Sequence, residues 1–166
     1  IRPFLDAGNR AFARTLAQHV SHPAPTLLDA IVTALQEAFS AVRTDWSHHL
    51  MQLALTVPAL RRVWLEATED LAGMLLPTLA TVLDLPEESA EARIAADEAV
   101  LIAVSSVRRM VHLEEGPQEA IGRVGDAFRR DPLARTLQQL DTSHRRATET
   151  GLARPSSSAS TSAKGH

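Results

Sequence analysis

The chain has 166 residues, a length that permits one domain with a hydrophobic core. Hydrophobic residues make up 45% of it, and the formal net charge of −3 argues against binding nucleic acid through bulk positive charge. It contains no cysteine, which excludes disulfides and thiolate chemistry, and no apolar run approaches the length that spans a membrane. These features fit a cytoplasmic protein without a membrane anchor.

The first four predicted elements are helices, because apolar residues recur at helical spacing and no window alternates like a strand. The first covers residues 4–20 and the second residues 27–42, where Thr26 and Asp29 have the form of a capping box. The third covers residues 46–57. The fourth covers residues 58–83 and contains Pro77, which removes a backbone donor and predicts a kink.

The fifth and sixth predicted helices complete the domain. The fifth is opened by Pro86, covers residues 86–114 and is the longest, roughly 40 Å at about 1.5 Å per residue. The sixth starts at Pro117 and is interrupted at residues 131–132, after which a short turn carries Leu133, Leu137 and Leu140. We expect a helical domain over residues 1–140 and a disordered, serine-rich tail over residues 141–166.

The middle of the fifth helix is apolar on every side. Residues 99–107 have the sequence AVLIAVSSV, with no charge between Glu98 and Arg108. A helix on the surface of a monomer shows one polar face, so this helix must be covered on two sides. It is either the central helix of a monomeric bundle or a helix that packs on a second copy. In the second interpretation, the sixth helix completes the interface, and the contact residues are Ala96, Val100, Ala103, Val104, Val107, Ile121, Val124 and Phe128.

No residue pattern supports catalysis or a bound metal or cofactor. Asp45 and His48 form a fragment of a metal-binding spacing, but no second such pair follows on another helix. Glu66, Glu69 and Asp70 lie close to arginines on an amphipathic helix, where a solvated face is the simpler interpretation. Glycine-rich phosphate loops and a Gly-x-Ser-x-Gly motif are absent. We therefore expect a protein that is not an enzyme and holds no cofactor or metal.

Large apolar side chains point inward from the first four helices and predict either a plain core or a ligand pocket. In the pocket interpretation, His49 is a polar handle and Arg108 is a counter-charge for an acidic ligand. The candidate ligand-binding residues are Phe12, Leu16, Phe39, Trp46, His49, Leu50, Leu53, Trp64, Leu71, Met74 and Arg108.

The order of these helices resembles the C-terminal regulatory domain of TetR-type transcriptional repressors, over residues 4–140. LLDAIVTALQEAF looks like the fifth helix of that family, and MQLALTVPALRRVWLEATEDLAGMLLPTLATVLDL looks like its sixth and seventh. AADEAVLIAVSSVRRMVHLEEG, followed by PQEAIGRVGDAF, looks like its eighth and ninth. The shared pattern consists of helix lengths and turn positions and contains no diagnostic motif.

The resemblance implies an orthogonal helical bundle that homodimerises through its last two long helices, residues 86–114 and 117–130. It also implies a small, often apolar effector inside the bundle, whose binding changes the spacing of two DNA-reading heads. The family's helix-turn-helix head is expected before Ile1 and is absent from this sequence, so any contact with DNA belongs to a longer parent chain. The alternative is a helical protein-interaction module without a ligand.

Overall fold

The fold consists of α-helices throughout the part of the chain that the computed structural model describes, residues 1–20, 26–41 and 45–130, without the side chains of residues 41 and 45–48. The six helices are α1 (Arg2–Val20), α2 (Leu27–Ala41), α3 (Asp45–Thr56), α4 (Pro58–Leu83), α5 (Ala90–His112) and α6 (Pro117–Arg130). The predicted all-α class is confirmed for these residues. The predicted interruption at residues 131–132, the turn with Leu133, Leu137 and Leu140, and the tail lie outside the described residues.

The start of α2 shows one half of the predicted capping box, the bond to the Thr26 side chain. The hydroxyl oxygen of Thr26 accepts a hydrogen bond from the backbone N–H of Asp29 at 3.1 Å, and the hydroxyl also donates to the Asp29 carboxylate at 2.8 Å. The first turn therefore has a side-chain acceptor for one of its free N–H groups. The helix then presents one apolar stripe, in which Leu28, Ile31 and Leu35 are at most 1% exposed.

Helix α4 begins at Pro58, as predicted, and is continuous through Pro77. It ends at Leu83 and is capped by Asp84, whose φ of 52° lies in the left-handed region that a helix C-terminus commonly uses. The next N–H, from Leu85, bonds the carbonyl of Ala80 at 2.9 Å and closes the last turn. The kink predicted at Pro77 stays a prediction. No described helix is both long and apolar enough to cross a membrane.

Helix α5 begins four residues later than predicted. Residues 86–88 form a turn closed by a bond from the Ser89 N–H to the Pro86 carbonyl at 3.0 Å. Ser89 is the N-cap, because its hydroxyl accepts from the Ala92 N–H at 3.2 Å, whereas Leu85 has no polar side chain with which to cap a helix starting at Pro86.

Helix α5 also ends earlier than predicted and is not the longest helix. Glu114, at the predicted end, has a φ of 54° and cannot continue the helix. With 23 residues, α5 is about 35 Å long, and α4 is longer with 26 residues. The prediction of the longest helix was therefore wrong, because Pro86 and the acidic residues after it favoured an early start and no stop signal precedes Gly116 in the sequence.

Helix α5 occupies the centre of the described bundle. It packs against α3, α4 and α6 and more lightly against α2, while α1 packs against α2 and α4. The main hydrophobic core draws on α1, α2, α4, α5 and α6. A smaller cluster at the junction of α1, α3 and α4 contains Leu5, Ala54, Trp64 and Ala67.

Candidate functional site

A cavity of about 450 Å³ lies between the helices, where the main core meets the smaller cluster. All six helices and the connection between α5 and α6 contribute side chains, so the cavity is a feature of the whole bundle. The lining residues are Phe4, Leu5, Gly8, Asn9, Phe12, Leu35, Ala38, Phe39, Met51, Trp64, Ala67, Thr68, Leu71, Ala103, Val104, Val107, Met110, Val111, Glu115 and Pro117.

Small residues on facing helices leave this space open. Gly8 of α1, Ala38 of α2, Ala67 of α4 and Ala103 of α5 all line the cavity. A Cβ atom built on Gly8 would have no neighbouring atom within 4 Å. Interiors of proteins are otherwise close-packed, so a set of small residues at one level of the bundle is an effective way to keep a cavity.

Two uncharged polar side chains in the lining have their donors engaged by the backbone. The amide nitrogen of Asn9 donates to the Ala67 carbonyl at 2.7 Å, which joins α1 to α4. The hydroxyl of Thr68 donates to the Trp64 carbonyl at 2.8 Å. These two bonds tie polar groups to the wall, and the surface offered to a ligand is mainly apolar.

Glu115 is the one ionisable side chain among the described lining residues. Its carboxylate accepts two hydrogen bonds from the Arg109 guanidinium, one of them at 2.8 Å from Nε, and Arg123 Nε lies 3.7 Å away. Hydrogen bonding to Arg109 lowers the pKa of Glu115 below its ordinary value and outweighs the opposing effect of desolvation. At neutral pH the cavity is therefore bordered by a carboxylate whose charge is balanced by arginine.

Four of the predicted ligand-binding residues line the cavity: Phe12, Phe39, Trp64 and Leu71. The structure places most of the others elsewhere. Leu16 is fully buried in the main core, and His49 is exposed. Three others are half-buried and do not line the cavity: Leu50, Leu53 and Met74. The side chain of Trp46 lies outside the described residues.

The face of α3 that turns inward differs from the predicted one. The prediction placed Leu50 and Leu53 inward, but Ala54 is fully buried and Met51 lines the cavity. Alanine carries a weak hydrophobic signal in a sequence pattern, although its small size lets two helices approach closely. The predicted handle His49 is consequently on the outside.

Arg108 lies on the outside of α5 and is not among the lining residues. Its guanidinium carbon is 6.0 Å from the centre of the Trp64 ring, a cation–π arrangement. The charged group at the cavity is thus Glu115 rather than the predicted Arg108. The pattern missed Glu115 because it follows the end of α5, where helical periodicity no longer predicts direction.

The face of α5 and α6 assigned to a second copy lies mostly inside the single chain, which corrects that prediction. A side chain with almost no exposed surface cannot contact another molecule unless the bundle opens. The half-buried residues are Val104, which lines the cavity, and Phe128, which packs on the core. The buried ones, all at most 8% exposed, are Ala96, Val100, Ala103, Val107, Ile121 and Val124.

No group of three or more His, Asp or Glu side chains in the described ranges is placed to hold a metal ion. The side chains of Asp45 and His48, the metal-like fragment of the sequence, lie outside those ranges. Comparison of the chain with protein-family models, curated proteins and solved structures gave no match. The TetR-type resemblance accordingly rests on helix order, helix lengths and turn positions, and the cavity is the structural feature that points to a function.

Proposed function

We propose that this chain is the regulatory domain of a TetR-like transcriptional regulator, in which the central cavity binds a small apolar or aromatic effector. The cavity carries the proposal, because its volume of about 450 Å³ suits a drug-sized molecule and its wall is mainly apolar with a few polar groups. The order of the six helices supports the family assignment. In this proposal the chain forms a homodimer, and contact with DNA is made by a head outside this chain.

The lining favours an uncharged effector over the acidic one predicted from Arg108. An anionic ligand in the cavity would place its charge near the Glu115 carboxylate in surroundings of low polarity. Phe12, Phe39 and Trp64 place aromatic rings in the wall, against which an aromatic ligand would pack. An N–H or O–H group on the ligand would find an acceptor in Glu115.

Glu115 also gives the effector a route to α6. Its carboxylate is bonded to Arg109 of α5 and lies near Arg123 of α6, which in turn bonds Glu119 at 2.7 Å. A ligand that displaces Glu115 would therefore alter the contact between the last two helices. In the proposed regulator this step connects ligand binding in the cavity to the arrangement of the two protomers in the homodimer.

The neutral dye Nile red is the first probe for the cavity. The variant Trp46→Phe leaves Trp64 as the single tryptophan, so quenching of its fluorescence reports binding at the wall. A dye concentration of about one hundred times Kd should stabilise the fold by about 2.7 kcal/mol, measurable as a rise in Tm. We expect saturable quenching with one dye per chain.

The variant Gly8→Leu tests whether the dye occupies the cavity. Its side chain would grow into the open space beside Gly8, so we expect loss of dye binding with an unchanged or higher Tm, since leucine also favours helix. Gly73→Leu is the matched control, because Gly73 of α4 is also open but is not in the lining. Equal binding by both variants would show that the dye sits elsewhere and would count against the proposal.

A helical interaction module is the second candidate, favoured by the exposed Leu65 and Leu101, which are 50% and 49% exposed on neighbouring helices. The same measurements separate the two functions. If Nile red and a library of neutral aromatic compounds change neither the tryptophan fluorescence nor the Tm, the effector proposal fails and the interaction module is preferred.

A further inference from the structure

Three large apolar side chains are exposed on the outer side of α4 and α5. Leu65 of α4 is 50% exposed, and Ile94 and Leu101 of α5 are 47% and 49% exposed. Leu65 and Leu101 line one shallow groove between the two helices, and Ile94 lies two turns from Leu101 on the same side of α5. Adjacent exposed apolar side chains of this kind mark a contact surface more often than isolated ones do.

The exposed side of α5 also carries an ordered set of charges. Glu91 and Asp97 lie in its N-terminal half, where Arg93 is paired with Asp97. Arg108 and His112 lie in its C-terminal half, and all five side chains are exposed. Leu101 stands midway between the two groups. Positions 94, 97, 101, 105 and 108 are successively three, four, four and three residues apart, so they share one face of the helix.

We propose that a second copy of this chain docks on this outer face of α4 and α5, with the two α5 helices antiparallel about a two-fold axis at Leu101. The inference rests on the homodimer of the proposed function and locates its interface. It differs from the α5–α6 interface that the family resemblance implies. The exposed large apolar residues of the described chain include none on α6, whose outer face carries charged side chains instead.

The charge order selects the antiparallel arrangement. Pairing about Leu101 sets Arg108 of one copy opposite Ile94 of the other. The aliphatic part of Arg108 then covers Ile94, and its guanidinium lies between Glu91 and Asp97, one helical turn to either side. A parallel arrangement would instead set acidic halves together and basic halves together.

The single chain leaves Arg108 available for this role. No ion pair joins it to another residue in the described part of the chain, and its contact with Trp64 is at 6.0 Å. Asp97 is bonded to Arg93 of its own helix at 3.2 Å, an exposed pair that contributes little by itself. Glu91, which is exposed, provides the second acid beside the arriving guanidinium.

Sedimentation equilibrium of the full chain and its variants tests the interface. Leu101→Asp places two carboxylates together at the axis, and we expect the dimer Kd to rise by about 100-fold or more. Arg108→Glu should raise the dimer Kd by roughly 10-fold. The double variant Asp97→Arg with Arg108→Glu exchanges the two charges and should restore much of the lost affinity. Leu113→Asp is the control, because Leu113 is 57% exposed but lies beyond the C-terminus of α5.

Each contrary outcome has its own meaning. A dimer that survives Leu101→Asp but is weakened by Ala127→Asp, on the exposed side of α6, overturns this interface and leaves the homodimer in place. A wild-type chain that stays monomeric at a concentration 100-fold higher than in the cavity assay overturns both the homodimer and this interface. Nile red binding then still tests the effector proposal separately. Equal effects of Leu101→Asp and Leu113→Asp also overturn the interface. Far-UV circular dichroism and Tm establish that each variant is folded.

Discussion

At the scale of single residues, Gly125 marks the closest approach of α6 to α2. A Cβ atom at this position would lie 2.8 Å from a methyl carbon of Val32. Val32 is buried and β-branched, so its side chain has little freedom to rotate away inside a helix. A Cβ atom built on Gly122, one turn earlier on α6, would have no neighbouring atom within 4 Å. The two glycines therefore have opposite packing roles in one helix.

We expect Gly125→Ala to lower the free energy of unfolding by about 1–2 kcal/mol, because the clash with Val32 exceeds the gain in helix propensity. Gly122→Ala should be neutral or stabilising by up to about 1 kcal/mol, since only the propensity changes. Urea unfolding followed by circular dichroism measures both. Equal midpoints for the two variants would show that α2 and α6 do not approach this closely.

The residues that line the cavity differ in how well sequence predicts them. Phe12, Phe39, Trp64 and Leu71 are large, apolar and at helical spacing, so their inward direction followed from local pattern. Glu115 could not be found this way. It reaches the cavity only because Glu114 turns the chain with a φ of 54° and Arg109 then holds the carboxylate.

At the scale of elements, the start of α5 depends on one hydroxyl group. Ser89 accepts from the Ala92 N–H and determines where the helix begins, although proline and acidic residues stand earlier at 86–88. Proline and glutamate favour a helix start, but neither of them supplied the N-cap acceptor here. The cap decided between two helix starts that composition alone could not separate.

Ser89→Ala should cost about 1 kcal/mol of stability, because the first turn of α5 loses its side-chain acceptor. Ser89→Asp should keep most of the stability, since aspartate also caps and its charge suits a helix N-terminus. Thermal unfolding of the three proteins in parallel provides the comparison. A Ser89→Ala protein with unchanged Tm would mean that the cap contributes nothing to the fold.

At the scale of the whole molecule, two carboxylates form ion pairs that link the bundle to α6 near its C-terminus and just before its N-terminus. Asp29 of α2 bonds Arg129 at 2.5 Å, and Glu115, just before α6, bonds Arg109 of α5 at 2.8 Å. Burial raises the pKa of Asp29, but hydrogen bonds from Arg129 and Thr26 outweigh it and hold the pKa below the ordinary value of 3.8. Both carboxylates are therefore stabilised in their charged form by folding.

A depressed pKa in the folded state fixes the sign of the pH dependence. Asp29 and Glu115 contribute stability above their ordinary pKa values of 3.8 and 4.5, and this contribution is lost as the pH falls through the lower folded-state values. We expect the urea midpoint to fall as the pH is lowered from about 5 to about 3. In Asp29→Asn the midpoint should start lower at neutral pH and fall less steeply.

The control for this pH series is Glu66→Gln. Glu66 forms an exposed pair with Arg62 on α4 at 3.2 Å, and a surface pair of this kind contributes little to stability. Its variant should follow the wild-type curve. A wild-type midpoint that is constant over the acidic range, or an Asp29→Asn curve parallel to the wild type, would contradict the assigned role of Asp29.

The sequence by itself determined the helical class, the approximate bounds of the helices, the cap at Thr26 and three of the four aromatic residues in the cavity wall. These features depend on propensity, capping and spacing within a few turns of one helix. Only the tertiary structure decided how α5 is covered. Because its middle is apolar on every side, local pattern could not distinguish the face with Ala96 and Ala103, which neighbouring helices bury, from the face with Leu101, which they leave exposed.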